Sequence, residues 1–142
     1  MEGDLFWLIK RHEGCRLSAY LCPAGVPTIG YGNTFYPDGQ KVKLGDKITQ
    51  QAAEDLLMWY CVTQIKLPQG TFTSNQKTAL YSLIFNIGQA AFNRSKCRKA
   101  IEAQDWLTAR ANWDWTKAGG KELPGLVRRR REEKTLFFEG LI

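Results

Sequence analysis

The sequence predicts an α+β fold that is mostly helical, with a short β-sheet confined to the first third of a single domain. Three observations carry this. Apolar residues recur at helical spacing before Gly14 and again from Gln50 onward. From Arg16 to about Lys47 the pattern changes to short alternating runs, "TIGYG" and "QKVKLG", broken by the turn signal "YPDGQ". Finally, 142 residues with 44% hydrophobic content can close one core without disulfide staples.

Taken in order, Asp4 caps a first helix in which Leu5, Phe6, Leu8 and Ile9 form the apolar face. Gly14 stops it, which leaves Glu13 in the last turn. The following alternating segment reads as a sheet of two or three strands. Thr49 caps a helix from Gln50 to about Gln64, with Ala53, Leu56, Leu57 and Tyr60 turned inward. After a turn at "LPQGTF", Thr73 and Gln76 fit a capping box that opens an apolar helix through Ile87, closed by Gly88. Further helices are expected at about 95–103, 105–114 and 125–138, with the linker "TKAGGKELPG" before the last one as a loop. Trp106 and Trp113 fall at core positions of that helical region.

The net charge of +6 and pI near 9.3 point to an anionic partner surface, which admits nucleic acid, acidic lipid or a bacterial wall. Charge alone does not choose among them. No nucleic-acid motif is present and the basic residues are scattered, so nucleic acid is not expected as a partner. The apolar start "LFWLI" is too short to span a bilayer and has no basic leader, so neither a membrane span nor a signal peptide is expected in this chain. Cys15, Cys22, Cys61 and Cys97 lack metal-site spacing and His12 is the only histidine, so no metal and no cofactor are expected. Cys61 and Cys97, in apolar helical contexts, read as packing residues.

The stretch with chemical content is "EGCRLSAYLCPAGVPTIGYG". A carboxylate at a helix C-terminus meets the negative end of the backbone dipole, which favours the protonated form that a general acid needs. By position alone Glu13 reads either that way or as a solvated last-turn residue. The order Glu13, Cys22, Thr28, with Arg-Leu-x-Ala-Tyr between and Thr-Ile-Gly-Tyr-Gly at the end, strongly resembles the phage-type lysozymes, or endolysins. The usual pattern carries Asp where Cys22 stands. The resemblance continues through "ALYSLIFNIG", "AFNRSK", "WTKAGGKELPGLVRRRREE" and the final "LF", so it covers nearly the whole chain.

That resemblance implies a lysozyme-like fold: a small N-terminal lobe over about 13–50, a connecting helix over about 50–64, and a helical lobe from 65–142 plus 1–12, with a cleft between. It implies a monomeric glycoside hydrolase that cleaves the β-1,4 bond between N-acetylmuramic acid and N-acetylglucosamine in peptidoglycan. Such a protein is made in the bacterial host cytoplasm and acts on the wall in the periplasm. Glu13 would be the acid, Thr28 would position the attacking water, and Cys22 would be the base or electrostatic stabiliser. A thiol serves as a base only if its pKa is lowered, and Arg16 and the arginines at 128–131 are the cations proposed to lower it. The resemblance also implies an inverting reaction and makes Arg128 or Arg129 the partner of Glu13. Arg130 and Arg131 read as a solvated helix face. Gly30 and Gly32 either let a sugar ring approach the backbone or mark a twisted strand.

Two further expectations concern regulation and alternatives. Some phage-type endolysins are exported by an N-terminal signal anchor and held inactive until release, and a Cys15–Cys22 disulfide would consume the catalytic thiol as a redox switch. The competing functions are a lytic transglycosylase, for which one glutamate suffices, and a catalytically silent wall-binding module.

Overall fold

A computed structural model of the chain describes residues 3–142. They form two compact units, one of Ile9–Ile65 and the other of the residues up to Leu8 together with Lys66–Ile142. The first of these holds most of the helix that ends at Glu13 and the whole of the helix after Thr49.

The first helix, α1, spans Trp7–Glu13; Asp4 Oδ1 accepts from the Phe6 N–H at 2.8 Å just ahead of it, and Gly14 leaves it at φ +69°. In the small unit, β1 (Arg16–Leu21) pairs antiparallel with β2 (Pro27–Gly30), with Tyr20 opposite Thr28 and an irregularity between Arg16 and Tyr20. The connection Pro23–Ala24–Gly25 is a three-residue hairpin loop with Gly25 at φ +78°, closed by Gly25 N–H to Cys22 O and Cys22 N–H to Val26 O at 2.8 and 3.0 Å.

"QKVKLG" is not a strand of this sheet. It is held by a single bridge, Phe35 with Lys41, and a second bridge, Ser18 with Lys47, follows just beyond it. The reason is Asp46, whose carboxylate takes the Lys43 N–H at 3.0 Å and the Tyr36 hydroxyl at 2.7 Å, folding the segment into a turn instead of a ladder. Helix α2 (Gln50–Gln64) is capped by Thr49, which accepts from Ala52 N–H at 3.0 Å. Ile29, Val42 and Leu56 form the core of this unit, with Ala19, Tyr36, Ile48 and Trp59 packed against it.

The larger unit is helical. It contains α3 (Ser74–Ile87), α4 (Gln89–Asn93), α5 (Lys96–Glu102), α6 (Trp106–Ala111) and α7 (Pro124–Phe138). The Thr73–Gln76 capping box is complete, with Gln76 N–H to Thr73 Oγ1 at 3.1 Å and Thr73 N–H to Gln76 Oε1 at 2.9 Å. The linker expected as a loop contains a hairpin of β3 (Lys117–Ala118) and β4 (Lys121–Glu122). Gly119 and Gly120 make it possible, since both turn residues have positive φ, +61° and +77°.

Trp113, Phe137 and Phe138 centre the core of this unit, with the Trp113 ring 5.3 and 5.6 Å from the two phenylalanines. Arg130 corrects the expectation of a solvated face. It is 1% exposed and pairs with the fully buried Glu133 at 2.8 Å, while Arg131 is exposed. Glu133 also accepts from Ser82 Oγ at 2.6 Å and Trp113 Nε1 at 3.0 Å, so its carboxylate is satisfied by three elements of the fold.

Candidate active site

Glu13, Cys22 and Thr28 all lie in the small unit. Glu13 is the last residue of α1 and half-buried. Its neighbours on either side are tied to other elements. Lys10, one turn earlier, pairs with Glu54 of α2 at 3.0 Å. Cys15, two residues later, hydrogen-bonds the Tyr31 hydroxyl, which also accepts from Gln50 Nε2 at 3.0 Å. Tyr31 is 6% exposed, and burial first, then the Cys15 thiol, pushes its hydroxyl up. Sequence reading missed this network. Lys10 and Glu54 are 44 residues apart, so no local pattern joins them; only the aromatic between two glycines in "GYG" marked Tyr31.

Cys22 sits where β1 enters the hairpin loop. Hydrogen bonds from the Val26 and then the Ala24 backbone hold its thiol below the ordinary range against the opposing effect of burial, and the Thr28 side chain adds to them. Thr28, 4% exposed, donates to Val26 O at 2.8 Å and lies within hydrogen-bonding reach of the Cys22 sulfur. The expected cationic activation is therefore replaced by backbone dipoles. Arg16 stands at the opposite end of β1, 4.5 Å above the Tyr20 ring, and the activation of Cys22 is local to its loop.

The glycines divide. Gly30 is buried at φ +66°, and a Cβ there would lie 3.6 Å from both Ala53 Cβ and Ile48 Cδ1. Those are ordinary van der Waals distances, so the positive φ and not a lack of space favours glycine where β2 packs on α2. Gly32, at φ +107°, is exposed. Of the two arginines named as partners for Glu13, Arg128 is exposed on α7, whereas Arg129 is buried in the larger unit and donates to Ser82 Oγ and Ser82 O, each at 3.1 Å.

Cys15 and Cys22 are free, half-buried thiols at the two ends of β1. Seven steps of extended chain at ~3.3 Å each separate their Cα atoms by on the order of 20 Å, against less than ~7 Å for a disulfide. The proposed bond cannot form while β1 is intact. Cys61 and Cys97 are buried, and desolvation pushes Cys97 up to about 12.

A short two-stranded sheet in one unit and a helical second unit, with Glu13 ending the first helix, are compatible with the class of lysozyme-fold wall-degrading enzymes. Residues 10–133 match the Phage lysozyme family, and the chain belongs to it. It is 44% identical to an endolysin of Acyrthosiphon pisum secondary endosymbiont phage 1, over 92% of each chain. It is 38% identical to the endolysin of Salmonella phage P22, over 91% of each. Among solved structures it superposes on an endolysin from Escherichia coli O157:H7 phage FAHEc1 with a TM-score of 0.79, at 31% identity, covering 99% of this chain and 95% of that one. The fold expectation is thereby met, and the protein is an endolysin that degrades peptidoglycan.

Proposed function

We propose that the chain is a muramidase, hydrolysing the β-1,4 bond between N-acetylmuramic acid and N-acetylglucosamine. The observation that carries this reading is the Cys22–Thr28 pair, a sulfur biased towards thiolate by backbone hydrogen bonds with a hydroxyl beside it. Glu13 donates its proton to the glycosidic oxygen as the C–O bond breaks. Thr28 holds a water, and the Cys22 thiolate takes that water's proton as its oxygen bonds the anomeric carbon, which inverts the centre. The likeness to the muramidase domain of SpmX from Asticaccaulis excentricus, at 34% identity and a TM-score of 0.73 over 92% of each chain, supports the choice of bond.

The compartment is the periplasm. Relatives named SAR-endolysins, from Haemophilus phage HP1 at 31% identity and Escherichia phage P1 at 27%, favour export by a signal anchor. Among the described residues no helix is long and apolar enough to cross a membrane.

Digestion of purified peptidoglycan followed by mass spectrometry tests the reaction. The muramidase yields reducing muramic ends, and Glu13→Gln loses at least ~100-fold in rate with the fold retained, as expected for removal of a general acid. Anhydro-muramic products assign a transglycosylase instead, and wall binding without release of fragments assigns a silent binding module.

A further inference from the structure

The small unit carries a groove whose lining includes none of the residues assigned to the reaction. Its volume is about 380 Å³, and the half-buried Tyr36, Ile48, Ala52 and Trp59 and the buried Leu56 line it together with the exposed Asp55. On α2, Asp55 and Trp59 lie about 140° around the axis from Gln50 and Glu54 at 3.6 residues per turn. Gln50 and Glu54 are the α2 residues that face Tyr31 and Lys10 beside Glu13. The groove and the site around Glu13 therefore occupy different faces of the same helix.

We propose that this groove is an accessory site for one N-acetylhexosamine unit of the glycan strand, a proposal that rests on the protein acting on peptidoglycan. Its lining has the two-sided character of a pyranose. A sugar ring has an apolar C–H face and a rim of hydroxyls, and the groove offers aromatic and aliphatic carbon below with a carboxylate at the edge. The rings are held before any ligand arrives. The Tyr36 hydroxyl donates to Asp46 at 2.7 Å, and the Trp59 ring meets Phe35 edge-on at 5.7 Å between centroids. Asp55 accepts from Gln51 Nε2 at 2.9 Å through one oxygen, which fixes the carboxylate as an acceptor for sugar hydroxyls.

Charge selects the ligand further. In a chain of net charge +6, Asp55 is the one ionisable carboxylate or cation among the described residues lining this groove. Phosphate-bearing polymers and acidic lipid would meet a like charge there. A purely apolar occupant would cover the second oxygen of that exposed carboxylate without offering it a donor. A neutral, hydroxyl-rich sugar satisfies both halves of the groove. The benefit to the enzyme is retention on an insoluble polymer, since a second contact raises the local concentration of chain around the cutting site.

The test titrates the Glu13→Gln chain with the N-acetylglucosamine tetramer and follows tryptophan indole N–H resonances by NMR, with Trp59 assigned from Trp59→Phe. Saturable movement of the Trp59 signal is expected, weakened at least fivefold in Asp55→Ala, a change at an exposed position that spares the core. Sedimentation with insoluble peptidoglycan should fall at least threefold in Asp55→Ala, while hydrolysis of soluble oligomers by the same variant in the Glu13 background stays at the native rate. No movement of the Trp59 signal at millimolar tetramer overturns the proposal. So does movement indifferent to Asp55→Ala, or movement produced by a nonionic detergent and not by the sugar. Because binding is read without turnover, saccharide at Trp59 together with a failure of the chain that keeps Glu13 to release reducing ends would overturn the muramidase reading and leave this site standing.

Discussion

The Thr28 hydroxyl lies beside the Cys22 sulfur, anchored at 2.8 Å to the Val26 carbonyl of the same hairpin loop. On the proposed mechanism this side chain would have two effects: its oxygen would hold the incoming water, and its single proton, turned from the Val26 carbonyl to the sulfur, would favour the thiolate. Thr28→Val keeps the shape of a residue that is almost fully buried but removes both. Wall lysis should fall by roughly 10- to 100-fold, as for loss of one well-placed polar group, with the melting temperature nearly unchanged. The same variant should alkylate more slowly at Cys22 near neutral pH, because one cause of its lowered pKa is gone. An unaltered alkylation rate would separate Thr28 from the sulfur.

Cys22→Asp places a carboxylate where backbone N–H groups already converge, and it should remain active. Its dependence on pH should lose the thiol ionisation and extend further to the acid side, since a carboxylate stays ionised there. Cys22→Ala should be slower by about 100-fold or more, measured as turbidity loss of permeabilised cells. Equal rates for Cys22→Ala and the native chain would remove the base.

The four thiols should react with iodoacetamide in the order their surroundings dictate. Cys22 reacts first, because its lowered pKa gives more thiolate at pH 7, and Cys97, pushed up to about 12 inside the core, reacts only on unfolding. The dependence has a definite sign: the rate at Cys22 should level off at a lower pH than for a free thiol. Peptide mass spectrometry after brief labelling gives the order directly.

Glu133→Ala should destabilise the protein by about 3–5 kcal/mol, the range for removing one partner from a buried ion pair. Arg130 and the Trp113 indole would both lose an acceptor inside the core. Urea denaturation followed by tryptophan fluorescence measures the loss. Glu139→Ala, on an exposed residue just beyond α7, is the control and should lie within about 0.5 kcal/mol of native.

Local signals made much of the fold legible. The Thr49 cap, the Thr73–Gln76 box and the glycine stops are written within a few residues of the structure they specify. Elements that depend on distant partners were not legible. "QKVKLG" has strand composition, yet the Asp46 carboxylate competes for the N–H that a ladder would use. Arg130 looks like its exposed neighbour Arg131, and only the arrival of Ser82 and Trp113 at Glu133 turns it inward. At the site, the three residues were visible as a spacing, whereas the activation of Cys22 was assigned to arginines because the hairpin loop, with its converging amides, has no charge to read in a sequence.

The length of β1 sets a race for any chain that reaches an oxidising compartment unfolded. Before the hairpin zips, Cys15 and Cys22 are seven residues apart on a flexible segment and meet often; afterwards the strand is a rigid spacer that keeps them apart. Whichever process finishes first excludes the other. A chain that folds before oxidation keeps its sulfur, and one that oxidises first must be reduced before the hairpin can close, so on the role proposed for Cys22 the order of the two events would decide how many molecules can cut the wall.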